Sequence, residues 1–171
     1  MLQTSTSRRR GFTIVELLIV IVVIGILAAI TIVAFNGVQQ RARNAQVIAG
    51  VNTYYKAILS YTNVYNTYPE SGNGCLGASY PGDQCWSGTS GNRSINAALD
   101  ANLAEFVKVK PVLATSLLPI GIGNNMRAGA VYDFATKRIV YYLQGINQDC
   151  SIGGSFGGNE GGVVTQCVIA I

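Results

Sequence analysis

Glu16 is the side chain of this 171-residue sequence whose setting most demands a chemical partner. It stands at the head of Leu17 to Phe35, a run without a single charge. A carboxylate in hydrocarbon costs about 3 kcal/mol even on lenient insertion scales, so it calls for a cation or for hydrogen-bond donors. Both are close in sequence. A cut after Gly11 would turn the nitrogen of Phe12 into a cation four residues from Glu16. In a stack of such helices, the amine of one copy meets Glu16 of the next. The stretch Thr13-Ile14-Val15-Glu16 also fits a capping box, in which Glu16 returns to the N–H of Thr13. The helix macrodipole favours an acid there too. The two uses are compatible.

The other reactive side chains point away from catalysis. The sequence has no histidine, so no Ser–His or Cys–His pair can form. Cys75, Cys85, Cys150 and Cys167 are even in number and lie beyond the apolar run. With the N terminus inside, they face the oxidising side of a membrane, where disulfides persist. Three pairings are possible. Zinc would need closer ligand pairs, and no other metal or cofactor is expected. Asn147, Asp149, Asn159 and Glu160 offer oxygens to calcium but lack EF-hand spacing, and turn formation explains them as well. The run Gly153 to Gly158 lacks the Gly-Lys-Ser/Thr ending of a phosphate loop and reads as a surface loop. Asn92-Arg93-Ser94 fits a glycosylation sequon, a short match that arises easily by chance.

The elements that must position these residues follow from periodicity. A helix is predicted from about Thr13 to just before Tyr68-Pro69, some 53 residues or about 80 Å. Its first half is apolar all round and long enough to cross a bilayer. Its second half carries one stripe: Val47, Val51, Tyr54, Ile58, Tyr61 and Tyr65. Arg41 and Arg43 mark the change of environment. Gly25, Gly37 and Gly50 weaken the helix by about 1 kcal/mol each relative to alanine, unless close packing needs them. Glu70 to Gly91 reads as a loop. Ser94 is predicted to cap a short helix carrying Ile95, Leu99, Leu103 and Phe106 on one face. Met126 to Phe134 and Lys137 to Leu143 are expected to form a hairpin across Ala135-Thr136. Ser151 to Gly162 reads as a Gly-rich loop and Val163 to Ile171 as a last strand. Trp86, the single tryptophan, is expected to pack on the head. The fold class is α+β, a long helix packed on a small antiparallel sheet.

Charge adds little. Removing residues 1–11 takes away three arginines and leaves nine cations against eight acids. The basic balance is a property of the leader, and no nucleic-acid partner is expected. The tyrosines between 54 and 68 have only Lys56 beside them, so they read as core and not as a stacking platform.

Arg8-Arg9-Arg10-Gly11-Phe12-Thr13-Ile14-Val15-Glu16-Leu17 followed by an apolar run resembles the class III signal of type IV pilins and pseudopilins. A secretory signal peptide would be cut after its apolar core, at a small-x-small site that Ala29-Ile30-Thr31 matches poorly. An uncleaved anchor is a further alternative. The resemblance implies a leader at 1–11, a transmembrane and filament-core helix at 12–35, an amphipathic half at 36–68 and a head at 69–171. It implies cleavage between Gly11 and Phe12 by prepilin peptidase, methylation of Phe12, and assembly through Glu16 and Phe12. Its implied partners are the membrane, an inner-membrane assembly platform, and identical or related pilin subunits. Cys75–Cys85 and Cys150–Cys167 are the favoured pairs: each encloses a Gly-rich loop, and a C-terminal disulfide-bounded loop is frequent in that family. Many members carry a proline about twenty residues into the mature chain, where this sequence has Val33. The expected product is a structural filament subunit, not an enzyme. It would be a single-pass precursor with its N terminus inside, later exposed at the cell surface. The alternatives are a minor tip pilin with an adhesive or DNA-binding head, or a pseudopilin of a type II-like secretion system.

Overall fold

The long helix α1 spans Ile14–Tyr65. The carbonyl of Thr13 accepts the first helical hydrogen bond, from the N–H of Leu17. The helix ends where Asn66 turns left-handed, at φ 54°. Asparagine tolerates that conformation, and Pro69 follows as a stop signal. The computed structural model describes residues 11–69, 72–89, 91–114, 116–121 and 124–171. The leader expectation therefore falls, up to residue 10, outside the described residues.

The chain divides into two compact units, one ending at Gln39 and the other running from Gln40 to Ile171. In the first, every residue from Gly11 to Ile32 is exposed. In the second, α1 presents Val47, Val51, Tyr54, Ala57 and Ile58 to the core, all buried. The predicted stripe needs a correction at its end, because Tyr61 is half-buried and Tyr65 exposed. There the helix meets Glu105 and Phe106: the Tyr65 hydroxyl donates to Glu105 at 3.0 Å, and the Phe106 ring stands 6.2 Å from that of Tyr61.

The second unit continues through strands β1 (Gly74–Leu76), β2 (Gln84–Ser87) and β3 (Arg93–Ser94), helix α2 (Ala97–Leu103), then β4 (Leu118–Pro119), β5 (Met126–Arg127), β6 (Ala130–Asp133), β7 (Arg138–Gln144), β8 (Ser155–Glu160) and β9 (Val164–Ala170). A five-stranded sheet has the order β1-β6-β7-β9-β8, and a four-stranded one the order β3-β2-β5-β4. Their named pairings are all antiparallel. Alternation along β7 separates two cores. Ile139, Tyr141 and Leu143 join the α1 stripe in the main core. Tyr142 faces the other way and packs with Ile120 and Val164, beneath Trp86 and Leu118 of the four-stranded sheet.

Four expectations are corrected. Glu70 to Gly91 is not all loop, since β1 and β2 lie within it. Ser94 pairs with Gln84 in a ladder, and the cap of α2 is Asn96, whose side chain accepts from the N–H groups of Ala98 and Leu99. Met126 to Phe134 is two strands in different sheets. They part at Gly129, whose φ of +53° and contact with the Tyr80 hydroxyl leave no room for a side chain. Ser151 to Gly162 contains β8, an edge strand with a bulge between Phe156 and Gly158. A Cβ at Gly157 would lie 2.9 Å from Gln166 Oε1, so glycine permits the close approach there. The predicted hairpin exists between β6 and β7, with Asp133 accepting from the N–H of Ala135 and the hydroxyl of Thr136.

Candidate assembly and processing site

The N-terminal site is built from one turn of helix. Glu16 Oε2 accepts from the N–H of Thr13 at 2.8 Å and from its hydroxyl at 2.8 Å. The N–H of Glu16 donates to Thr13 Oγ1 at 3.2 Å. This reciprocal pattern satisfies donors that a helix start leaves open. Both bonds to the carboxylate converge on one of its oxygens, and Oε1 takes no hydrogen bond among the described residues. Gly11 and Phe12 precede the helix in exposed backbone, with Phe12 80% exposed. The structure thus brings Thr13 and Glu16 together and leaves the Gly11–Phe12 bond outside the helix, in exposed backbone. Among the described residues, α1 is the one helix long and apolar enough to cross a membrane.

The four cysteines are bonded as Cys75–Cys85 and Cys150–Cys167, with Cα–Cα distances of 5.7 and 5.5 Å. The first ties β1 to β2 and so one sheet to the other. The second ties the segment after β7 to β9. The oxygens considered for calcium are engaged locally. Asn147 and Asn159 bond each other, Asp149 accepts from the N–H of Ser151, and Glu160 pairs with Arg127 and accepts from Gln166.

Two polar clusters were not foreseen. Asn44, buried on α1, donates to the carbonyl of Gln144 at 3.0 Å and accepts from its N–H at 2.8 Å. Gln40 adds a bond of 2.7 Å to the same carbonyl. Asn44 thereby acts as a strand partner for the end of β7. Its signal was its place three residues before Val47, in phase with the stripe. Arg127 is 5% exposed, lies 3.7 Å from the centre of the Trp86 ring and bonds Glu160 at 3.1 Å. A desolvated cation over tryptophan with a carboxylate partner is a favourable arrangement, but nothing in local spacing announces it. Burial also raises several tyrosines. Tyr54, Tyr132, Tyr141 and Tyr142 are each pushed up to about 12, and Tyr80 is raised as well.

Residues 6–32 match the prokaryotic N-terminal methylation motif. The chain is 38% identical over 66 residues to the type IV major pilin protein PilA of Myxococcus xanthus, covering 39% of this chain and 30% of that one. It is 33% identical over 75 residues to the type IV major pilin protein PilE1 of Neisseria gonorrhoeae, covering 44% and 46%. It is 30% identical over 70 residues to the type II secretion system core protein G of Pectobacterium carotovorum, covering 41% and 45%. The chain thus spans less than half the length of these curated relatives. No solved structure matches it. With the methylation motif ahead of an exposed apolar helix, and an antiparallel head in the rest of the chain, the N-terminal part of this chain is similar to that of type IV pilins and of a type II secretion core protein.

Proposed function

We propose that this chain is the structural subunit of a type IV pilus-like filament. It is made as a single-pass membrane precursor with its N terminus inside, cut after Gly11 by prepilin peptidase, methylated on Phe12 and handed to an inner-membrane platform for polymerisation. One observation carries this reading. The first half of α1 exposes leucine, isoleucine and valine on every side, with a capped carboxylate at its head. Such a surface needs lipid or sister helices around it. In the filament, Oε1 of Glu16 remains for the Phe12 amine of a neighbour and sets the axial register. The role is structural and needs no cofactor.

Two substitutions test the parts separately. Glu16→Ala leaves processing largely intact and lowers filament yield at least about tenfold, the scale of losing one partly desolvated charge contact. Wild-type yield would remove the register role. Replacing Gly11 blocks cleavage, and a mature-sized product would remove that assignment. The intact mass of the chain in a sheared surface fraction tests the whole. The expected species begins at Phe12, one methyl heavier and, with two disulfides, four hydrogens lighter. A chain that keeps residues 1–11 in the membrane argues for a plain anchor.

The similarity to secretion core protein G supports a second reading, a pseudopilin in a short envelope-spanning rod. A mature chain absent from surface fibres but present in the envelope favours it.

A further inference from the structure

A groove of about 220 Å³ lies beside the first turns of α1 that belong to the second unit. Arg41, Ala45 and Ile48 line it from the helix, and Leu143, Gln148 and Asp149 from the end of β7 and the segment after it. Its apolar floor comes from Ile48 and the buried Leu143. Its amides are already committed: Asn44 bonds Gln148 Oε1, and Gln148 Nε2 bonds the carbonyl of Ile146. Its charges are not. Arg41 and Asp149 are both at the surface and line the same groove. Yet the ion pairs among the described residues are Lys110–Asp100 and Arg127–Glu160. Asp149 gives one oxygen to the N–H of Ser151 and keeps the other available. Opposite charges that share a small cleft without closing on each other complement a ligand carrying both signs.

We propose that this groove binds the headgroup of a zwitterionic phospholipid with a primary ammonium, the phosphatidylethanolamine class. Arg41 takes the phosphate, for which its forked guanidinium is suited. Asp149 takes the ammonium through N–H donors that a choline headgroup lacks. Ala45, Ile48 and Leu143 meet the carbon stem. The proposal rests on the reading that Leu17 to Phe35 is held in a bilayer before assembly. Arg41 follows Phe35 by six residues, about 9 Å along a helix, just past a headgroup layer about 5–8 Å deep and within reach of its long side chain. The groove is smaller than the about 300–1,000 Å³ of pockets for drug-sized ligands, so it fits a headgroup and not a large solute. An anionic headgroup without an ammonium would satisfy Arg41 but set Asp149 against a like charge.

The test uses the full chain in vesicles of equal parts phosphatidylethanolamine, phosphatidylcholine and phosphatidylglycerol. It is then gently extracted, and the lipids retained per chain are counted by native mass spectrometry. Phosphatidylethanolamine should be enriched about two- to fivefold over each of the others, the range expected for exposed charge pairs. Arg41→Gln and Asp149→Asn should each abolish the preference, while Lys137→Gln keeps it. Both tested positions are at the surface, and the amide oxygen introduced by Asp149→Asn can still accept from the N–H of Ser151, so the fold is retained. Equal retention of the three lipids overturns the proposal. So does enrichment of phosphatidylglycerol that survives Asp149→Asn. A chain that alkaline carbonate strips from the vesicles overturns the membrane reading and the groove's ligand with it. A chain that stays inserted without lipid preference overturns the groove alone.

Discussion

The two halves of α1 share a backbone and differ in what their side chains face. In the first, Ile24 is 59% exposed, and leucine or isoleucine of the same kind surrounds the axis on all sides. In the second, Ile58 is fully buried and its neighbours on the opposite face are not. The first half has no internal core to protect, so its stability depends on lipid or on other copies. The second half is fixed within its own chain by the stripe, by Asn44 and Gln40 on β7, and by the core that the two disulfides adjoin. On the proposed reading, a helix that passes from lipid into a filament gains from this division, because its apolar end can change surroundings while the buried stripe stays within its own head.

Alkaline pH should separate the halves most strongly. All nine tyrosines lie beyond Gln39. Burial holds Tyr54, Tyr132, Tyr141 and Tyr142 at about 12, above the ordinary value near 10. A raised folded-state value means that the unfolded chain ionises first. The stabilisation is therefore complete below about pH 10 and is lost as pH rises toward 12, by about 1.4 kcal/mol per unit for each such group. The head should unfold cooperatively in that window, with tyrosinate absorbance appearing together with loss of Trp86 fluorescence structure. The first half, without tyrosine, should keep its helical signal in micelles throughout. Ionisation of Tyr54, Tyr132, Tyr141 and Tyr142 near pH 10 in a head that stays folded, followed residue by residue, would contradict this burial.

Matched truncations give the next largest effect. Ile58→Ala should destabilise the head by about 2–5 kcal/mol, as expected for a cavity in a packed core. Ile24→Ala in the micelle-held subunit should stay within about 0.5 kcal/mol. Denaturant unfolding followed at Trp86 measures both. Equal effects would mean that the first half has an intramolecular partner after all.

The difference between the halves was legible in sequence because period and composition change within one helix. The stripe from Val47 to Ile58 and the Thr13–Glu16 box are local patterns, and local patterns survive folding. What was illegible depends on distant partners. The segment 155–160 looks like loop by composition, but β9 supplies a ladder along it, and glycine at 157 lets the strands close. Ser94 suits a cap by residue type, but Gln84 pairs with it in a strand and Asn96 takes the helix start. Arg127 offered no clue, because Trp86 and Glu160 come to it from far along the chain. At the N-terminal site the residues were readable, and so was their capping geometry. The proposed contact with a second copy belongs to an assembly and not to one chain.

Alanine in place of two glycines sharpens the comparison at the smallest scale, because the expected signs differ. Nothing lies within 4 Å of a Cβ built at Gly25. Gly25→Ala should therefore stabilise the first half by about 1 kcal/mol through helix propensity alone, seen as slower amide exchange around residue 25 in micelles. At Gly50 the same Cβ would lie 2.9 Å from Leu113 Cδ1 and 3.4 Å from Pro111 Cβ. Leu113 is itself buried, so it has little room to move away. The overpacking costs about 1–3 kcal/mol and cancels or exceeds the propensity gain. Gly50→Ala should leave the head unchanged or less stable in thermal unfolding. A head made more stable by Gly50→Ala would show that Leu113 yields readily and that Gly50 is merely tolerated. The opposite result at Gly25, faster exchange after substitution, would mean that this half needs close approach to a neighbour even before it assembles.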